Sequence, residues 1–435
     1  MPIRLAPDWV LPVEPARTVL PGHSVVVDDG VITAVAPHGE AAQAFPDAQL
    51  MELPGQVLIP GMINTHTHAA MTLLRGYADD LPLLEWLEER IWPTEGRWVD
   101  EDFVTDGTLI AGWEMVRGGT TTFNDMYFYP SEAVAAARRI GLRIVAGITY
   151  VSAPTRYASS EQESIERGLQ AADRWRGVDG VSFMLAPHST YGASVASWQR
   201  AGSLAAELGI GIHSHLNETW GEVERHIAQH RRPSVQWLAD HGALSPNFLA
   251  AHAVHMNHRD LEVAAAHGIS VSHCPSSNMK LASGFAKVKE MLDMGINVSI
   301  GTDGAASNNR LDMFQEMRAA ALLAKAVARD GAAVDAHTAL RMATLNGAEA
   351  LGMADLVGSI EVGKAADLVS VDLSSANNAP VYDVASHLVY VCSRGDVVNV
   401  WVGGRHVVQD RECVAMSGAE VRQLGSTWHD RIVAG

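Results

Sequence analysis

The 435-residue sequence holds 19 histidines, and those with the most chemical promise sit in short polar motifs. These are His66-Thr67-His68, Pro187-His188-Ser189, His213-Ser214-His215-Leu216-Asn217-Glu218, His252-Ala253-Val254-His255, His273-Cys274-Pro275 and Gly301-Thr302-Asp303-Gly304. Imidazole and carboxylate together are ligands for zinc or iron(II). Residues i and i+2 of a strand point the same way, so His66 and His68 can approach one ion. Alone that pair decides little: among 19 histidines chance supplies on the order of one such spacing, and two solvated loop histidines would look the same. The recurrence of imidazoles and a carboxylate in the other motifs favours a metal. Glu218 follows His215 by three residues and can stand beside the ion as the general acid/base that hydrolysis by metal-activated water requires. Its competing reading is an exposed glutamate at a helix start. Asp303 could ligate the ion and accept a proton from its water, although a lone Asp before Gly is usually a turn residue. His252 and His255 compete for one role, and His252 lies nearer the expected strand end. His273 reads as a core or supporting histidine, and Cys274 as a small buried apolar residue rather than a nucleophile.

These groups can act together only if the fold gathers them. Apolar runs of the buried parallel-strand type occur at Val57–Asn64, Thr120–Asp125, Arg143–Tyr150, Val181–Ala186, Gly209–His213, Phe248–Ala251, Ile269–Ser272 and Val298–Gly301. Helical segments rich in Ala, Leu, Glu and Arg separate most of them, including Glu132–Ile140, Ser197–Leu208, Asp260–His267 and Lys287–Met294. Eight strands with helical crossovers predict an α/β chain built as a (β/α)8 TIM barrel, with the polar motifs at the C-terminal strand ends. A doubly wound open sheet would carry a Gly-rich phosphate turn after its first strand, where this chain has Asn64-Thr65-His66-Thr67-His68. Both chain ends differ from the middle. HSVVVDDG and VITAVAPHG read as a hairpin turning at Asp28-Asp29-Gly30, and GSIEVGKAADLVSVD, VVNVWVGGRHVVQD and CVAM repeat that β-rich character. The expectation is a small composite β-sandwich domain from residues 1–57 and 359–435, beside a catalytic barrel of residues 58–358.

Composition narrows the function classes. Hydrophobic residues make up 47% and charged residues 19%, enough for a large core. No run approaches the ~18 apolar residues of a membrane span, and MPIRLAPDWVLPVEP lacks the apolar core of a secretory leader. Cys274, Cys392 and Cys413 are too few for a disulfide framework, which fits the cytoplasm. A formal charge of −18 repels phosphate backbones and anionic membranes, so neither nucleic acid nor membrane is expected as a partner.

Six stretches resemble the amidohydrolase superfamily, in its methylthioadenosine/S-adenosylhomocysteine deaminase branch, related to triazine and guanine aminohydrolases. They are PGMINTHTHAAMTLLRG, WPTEG, APHSTYG, HSHLNET, HCPSSNMKLASG and GTDGAASNN, and the closing GSIEVGKAADLVSVD is similar to the family's composite β-domain. The resemblance spans nearly the whole chain. It implies metal ligands at His66, His68, His215 and Asp303, an acid/base at Glu218 and a water-facing histidine at His252. It also implies a ribose-binding glutamate at Glu95 and a nucleoside contact at His188. The carboxylated lysine of binuclear relatives has no counterpart, because Ala186-Pro187-His188 stands in its place, so one divalent ion is implied. Zinc is the first expectation, and iron(II) or manganese(II) suit the same donors. The implied reaction is hydrolytic deamination of an adenine nucleoside, with activated water attacking C6 and Glu218 passing a proton to N1.

One departure bears on the substrate. Relatives that accept S-adenosylhomocysteine offer arginines around and after the third strand, whereas here the first candidate after RIVAGITYV is Arg156. Methylthioadenosine is therefore expected over the larger charged substrate. The alternatives are guanine or triazine deamination or dechlorination on the same scaffold, or a non-catalytic barrel that assembles with partners. Glu95 argues against the first, since a free heterocycle has no diol for it to bind; the complete residue set argues against the second. Barrels of this family commonly associate, so a homodimer or homotetramer is expected.

Overall fold

The computed structural model describes residues 1–81 and 83–434. Eight parallel strands follow one another in chain order around one sheet: β1 (Met62–Thr67), β2 (Thr120–Asp125), β3 (Arg143–Tyr150), β4 (Val181–Pro187), β5 (Gly211–Leu216), β6 (Phe248–His252), β7 (Ser270–His273) and β8 (Asn297–Ile300). Most of their residues are buried, as expected of parallel strands covered by helices on one side and packed against each other on the other. The expected barrel is therefore present.

Its seam lies between β8 and β1. There Asp303 donates its N–H to His66 O at 2.9 Å, and Thr65 Oγ1 donates to Ile300 O at 3.0 Å. Asn64 completes the seam by accepting Thr302 N–H at 3.0 Å and donating from Nδ2 to Thr302 Oγ1 at 2.7 Å. Polar side chains at Asn64, Thr65 and Thr302 thus close the barrel just beneath the histidine motif.

Two strand assignments shift. The run 57–64 is not one strand: Gln49–Pro60 belongs to a second sheet, and β1 starts at Met62 after a break at Gly61. Gly61 donates to Asp367 O at 2.9 Å, and a Cβ there would fall 2.1 Å from Thr121 Oγ1. Both halves are buried, so hydrophobicity cannot reveal the break. Gly209 is likewise not in β5; it caps helix Val195–Leu208 in the left-handed region, φ 66°, as glycine commonly does.

The second sheet has nine strands drawn from both chain ends. Leu368–Asp372 pairs antiparallel with Gln49–Pro60, which in turn runs parallel to Ile3–Val10. His23–Asp28 and Val31–Pro37 form the expected hairpin, with Asp29 and Gly30 both at positive φ. Gly403 and Gly404 make the same kind of turn between Val397–Val402 and Arg405–Gln409. Its own core gathers Leu5, Val25, Ile32, Leu58, Leu368 and Trp401. Buried Arg143, at the start of β3, fastens sheet to barrel by donating from Nε and Nη2 to the two oxygens of Asp367, at 3.0 and 3.1 Å. The last helix, Gly418–Ala434, lies on barrel helix Glu101–Arg117, where Trp428 Nε1 donates to Asp106 at 2.8 Å and its ring meets Phe103 edge-on.

Gly301 carries the tightest requirement at the seam. A Cβ there would stand 2.5 Å from Ser272 Oγ, 2.8 Å from His66 Cβ and 2.9 Å from His66 N. Gly301→Ala is expected to cost about 1–3 kcal/mol by overpacking and to displace His66. A melting temperature and metal content unchanged from wild type would contradict this account of the seam.

Candidate active site

The C-terminal strand ends open into a cavity of about 410 Å³ whose lining includes His68, Glu95, His188, His215, Glu218, His252 and Asp303. Backbone geometry turns several of these inward. Asn217, His252 and Asp303 lie at φ 51°, 69° and 62°, the left-handed region that costs a non-glycine residue on the order of 1 kcal/mol. Neighbouring hydrogen bonds hold them there: Ala253 N–H donates to Leu216 O at 3.0 Å, and Asn217 Nδ2 to His255 O at 3.2 Å. The same Asn217 accepts Ser234 Oγ–H at 2.5 Å.

At the cavity floor, one donor atom from each of His66, His68 and Asp303 lies within 4.8 Å of the others, and so do donors from His66, His215 and His252. Asp303 Oδ1 is 3.3 Å from His66 Nε2 and 3.3 Å from His68 Nε2, and His68 Nε2 is 3.3 Å from His215 Nε2. The outer ring nitrogens are engaged elsewhere. His68 Nδ1 meets Met126 O at 2.6 Å and His215 Nδ1 meets His188 O at 2.7 Å, so both donate outward and keep the Nε2 lone pair for the centre. His66 Nδ1 lies 3.0 Å from His213 Nε2, which leaves its buried Nε2 facing Asp303.

The electrostatics agree with a cation site. Burial lowers the His66 imidazole to about 4 and holds His215 well below the usual range, keeping both neutral as ligation requires. Burial acts the same way on His68, but the adjoining Asp303 carboxylate outweighs it and holds that imidazole up at about 9. Burial would likewise raise Asp303, yet His66 and His68 keep it well below the carboxylate range. An ionised, buried Asp303 needs positive charge beside it; a proton on His68 supplies that charge, and a divalent cation would supply it in the proton's place among the inward Nε2 atoms. The donor set fits the expected group.

Glu218 leans over this floor, its Oε2 4.0 Å from His252 Nε2, and burial raises its carboxyl. His252 is the last residue of β6 and its Nδ1 lies 2.8 Å from Asn278 Oδ1, whereas His255 turns away to Ser283 O. Glu95, on helix Trp92–Trp98, accepts Tyr127 Oη–H at 2.7 Å, and burial raises it too. His188 ends up with its ring 4.6 Å from that of His215, lowered by burial to about 3. Arg156 reaches the cavity wall, but its guanidinium donates to Arg97 O and lies 3.7 Å from Asp100. His273 and Cys274 are buried outside the donor cluster, and burial pushes the Cys274 thiol well above its usual range.

Several participants escaped the sequence reading. Ser277 and Ser307 both donate to Asp303 Oδ2, at 2.6 and 2.7 Å. Glu222 accepts the N–H of Asn217 at 3.2 Å and of Glu218 at 2.8 Å, fixing the turn that presents Glu218. Tyr127 follows the end of β2, which like the end of β3 carries no histidine to flag it. Ser277 and Ser307 lie inside quoted motifs, so their position near the strand ends was the available signal.

The model of the amidohydrolase family matches residues 57–407. A 5-methylthioadenosine/S-adenosylhomocysteine deaminase of Teredinibacter turnerae is 40% identical over 426 residues, covering 98% of this chain and 96% of that protein. A 5'-deoxyadenosine deaminase of Methanosarcina mazei is 39% identical over 429 residues, covering 98% and 97%. The crystal structure of an adenosine deaminase from Xanthomonas campestris with bound zinc superimposes with a TM-score of 0.98 at 42% identity, covering 100% of this chain and 99% of that one. A family model matched over residues 57–407 and relatives about 40% identical over nearly the whole chain show that this protein belongs to the amidohydrolase family.

Proposed function

We propose that the chain is a metal-dependent hydrolase that deaminates adenine nucleosides, with 5'-methylthioadenosine as its preferred substrate. The observation that carries this reading is the convergence of His66, His68, His215 and Asp303 on one point, with Glu218 and His252 above it. The activities named for the relatives support it. One zinc ion suits the three imidazoles and the carboxylate, and when bound it would lower the pKa of a water towards neutrality.

The residues divide the remaining work. Glu95, with one oxygen held by Tyr127, offers the other to the ribose 2' and 3' hydroxyls. His188 borders the purine. Glu218 takes a proton from the attacking water and delivers it to N1, and its buried carboxyl, raised in proton affinity, is suited to that exchange. Asp303 and His252 orient the water towards C6, and a C–O bond forms there. The second water proton passes to the amino group, the C6–N bond breaks, and ammonia and the inosine analogue leave.

The outer cavity supports the methylthio substituent. Trp86, Leu87, Ile91, Phe128, Val151 and Pro154 give it an apolar wall. Arg156 is occupied by Asp100 and the Arg97 carbonyl, so an amino acid carboxylate would have to compete for it. In this reading Arg156 braces the end of the helix that carries Glu95.

Glu218→Gln is expected to lower kcat by about 10²–10⁴-fold with metal content unchanged; steady-state kinetics alongside elemental analysis checks it, and wild-type turnover would remove Glu218 from the mechanism. Tyr127→Phe should lower kcat/KM for methylthioadenosine by about tenfold or more, the loss of a hydrogen bond to a charged group, and change little for a 2',3'-dideoxy analogue. An equal loss on both would separate Tyr127 from ribose binding. In an ultraviolet assay, methylthioadenosine should exceed S-adenosylhomocysteine by about tenfold or more in kcat/KM, one unpaired polar group's worth of discrimination, and guanine should not react. Arg156→Met should scale both nucleosides by one factor; a loss confined to S-adenosylhomocysteine would make Arg156 its carboxylate ligand.

A further inference from the structure

Glu316 lies on helix Met313–Ala328, 0% exposed, and among the described residues its carboxylate meets hydrogen-bond donors of Ser276 and Asn308 and no cation. Oε2 accepts Ser276 N–H at 3.0 Å, and Oε1 accepts Asn308 Nδ2–H at 2.9 Å. A buried carboxylate without a counter-charge is costly, and what this one joins gives it a use. Ser276 is the second residue of the helix after β7 and precedes Ser277; Asn308 lies after β8 and follows Ser307. Those two serines are the donors to Asp303 Oδ2, at 2.6 and 2.7 Å. Asn308 Nδ2 also donates to Thr302 O at 2.7 Å, one residue before Asp303.

We infer that Glu316 is a positioning residue for Asp303. It ties together the two loops whose hydroxyls occupy Oδ2, so that Oδ1, which also accepts Gly304 N–H at 2.7 Å, faces His66 and His68. Both carboxylate oxygens are used, so a glutamine can serve only one arm. Asn308 cannot turn its amide to compensate without giving up Thr302 O. The inference rests on Asp303 holding the metal, as proposed above.

Zinc affinity of the holoenzyme, measured by competition with a chelator, tests it in four proteins: wild type, Glu316→Gln, Ser277→Ala with Ser307→Ala, and the combination. Glu316→Gln is expected to raise the zinc dissociation constant by about 10–100-fold, as loss of support around a ligand does. The serine pair is expected to do the same, and the combination should be no weaker than the worse of the two, because all act through Asp303. A Glu316→Gln value within about twofold of wild type, or effects that multiply in the combination, would overturn the inference. If Glu316→Gln does not accumulate folded, Asn308→Ala against Ser307→Ala gives the same comparison, with non-additivity expected and multiplication contradicting it. A wild-type chain that takes up no zinc would instead overturn the metal reading on which this depends.

Discussion

An ionised carboxylate at the floor of a closed barrel needs positive charge beside it, and the rest of the site is arranged around that constraint. Asp303 is almost fully buried, yet His66 and His68 at 3.3 Å keep it far below the usual carboxylate range. Neighbouring imidazoles are at the same time pushed towards neutrality by their own burial. With His68 held up at about 9, the protein by itself answers this anion with a proton on that imidazole, and a divalent cation would take the proton's place among the inward Nε2 atoms. Donors that face outward to Met126 O and His188 O fix which nitrogen of His68 and His215 turns inward.

The barrel supplies the precision this demands. β1 and β8 meet through Asn64, Thr65 and Thr302, so the histidine motif and the aspartate are joined by hydrogen bonds just below the site. Gly301 permits that approach by lacking a side chain. At three positions the backbone adopts a left-handed conformation to aim a functional group, and packing and side-chain bonds hold the strain. The nine-stranded sheet at the chain ends, pinned by Arg143 and Asp367, braces the opposite end of the strands.

Much of this was legible in the residues because the chemistry is concentrated in contiguous motifs. His66-Thr67-His68 announces itself by strand periodicity, and the order of polar motifs after apolar runs predicts the barrel and its working end. His252 was separable from His255 by distance from the strand end alone. What stayed hidden depends on contacts between segments far apart. The break at Gly61 lies between two buried segments, residues 57–60 and 62–64, so hydropathy shows one run. Ser277, Ser307 and Glu316 matter through bonds spanning from 4 to 40 residues, and a serine inside a motif carries no periodic signal. Arg156 was readable as a cation near the mouth, but its engagement with Asp100 and Arg97 belongs to the folded chain.

The central claim is that one divalent ion sits where His66, His68, His215 and Asp303 converge. Anomalous diffraction from zinc-loaded crystals, recorded on both sides of the zinc absorption edge, addresses it directly. A single strong peak per chain is expected among those four side chains, with Glu218 beside it and not bound. A peak elsewhere, two peaks sharing the cavity, or none in protein that deaminates nucleosides would contradict it.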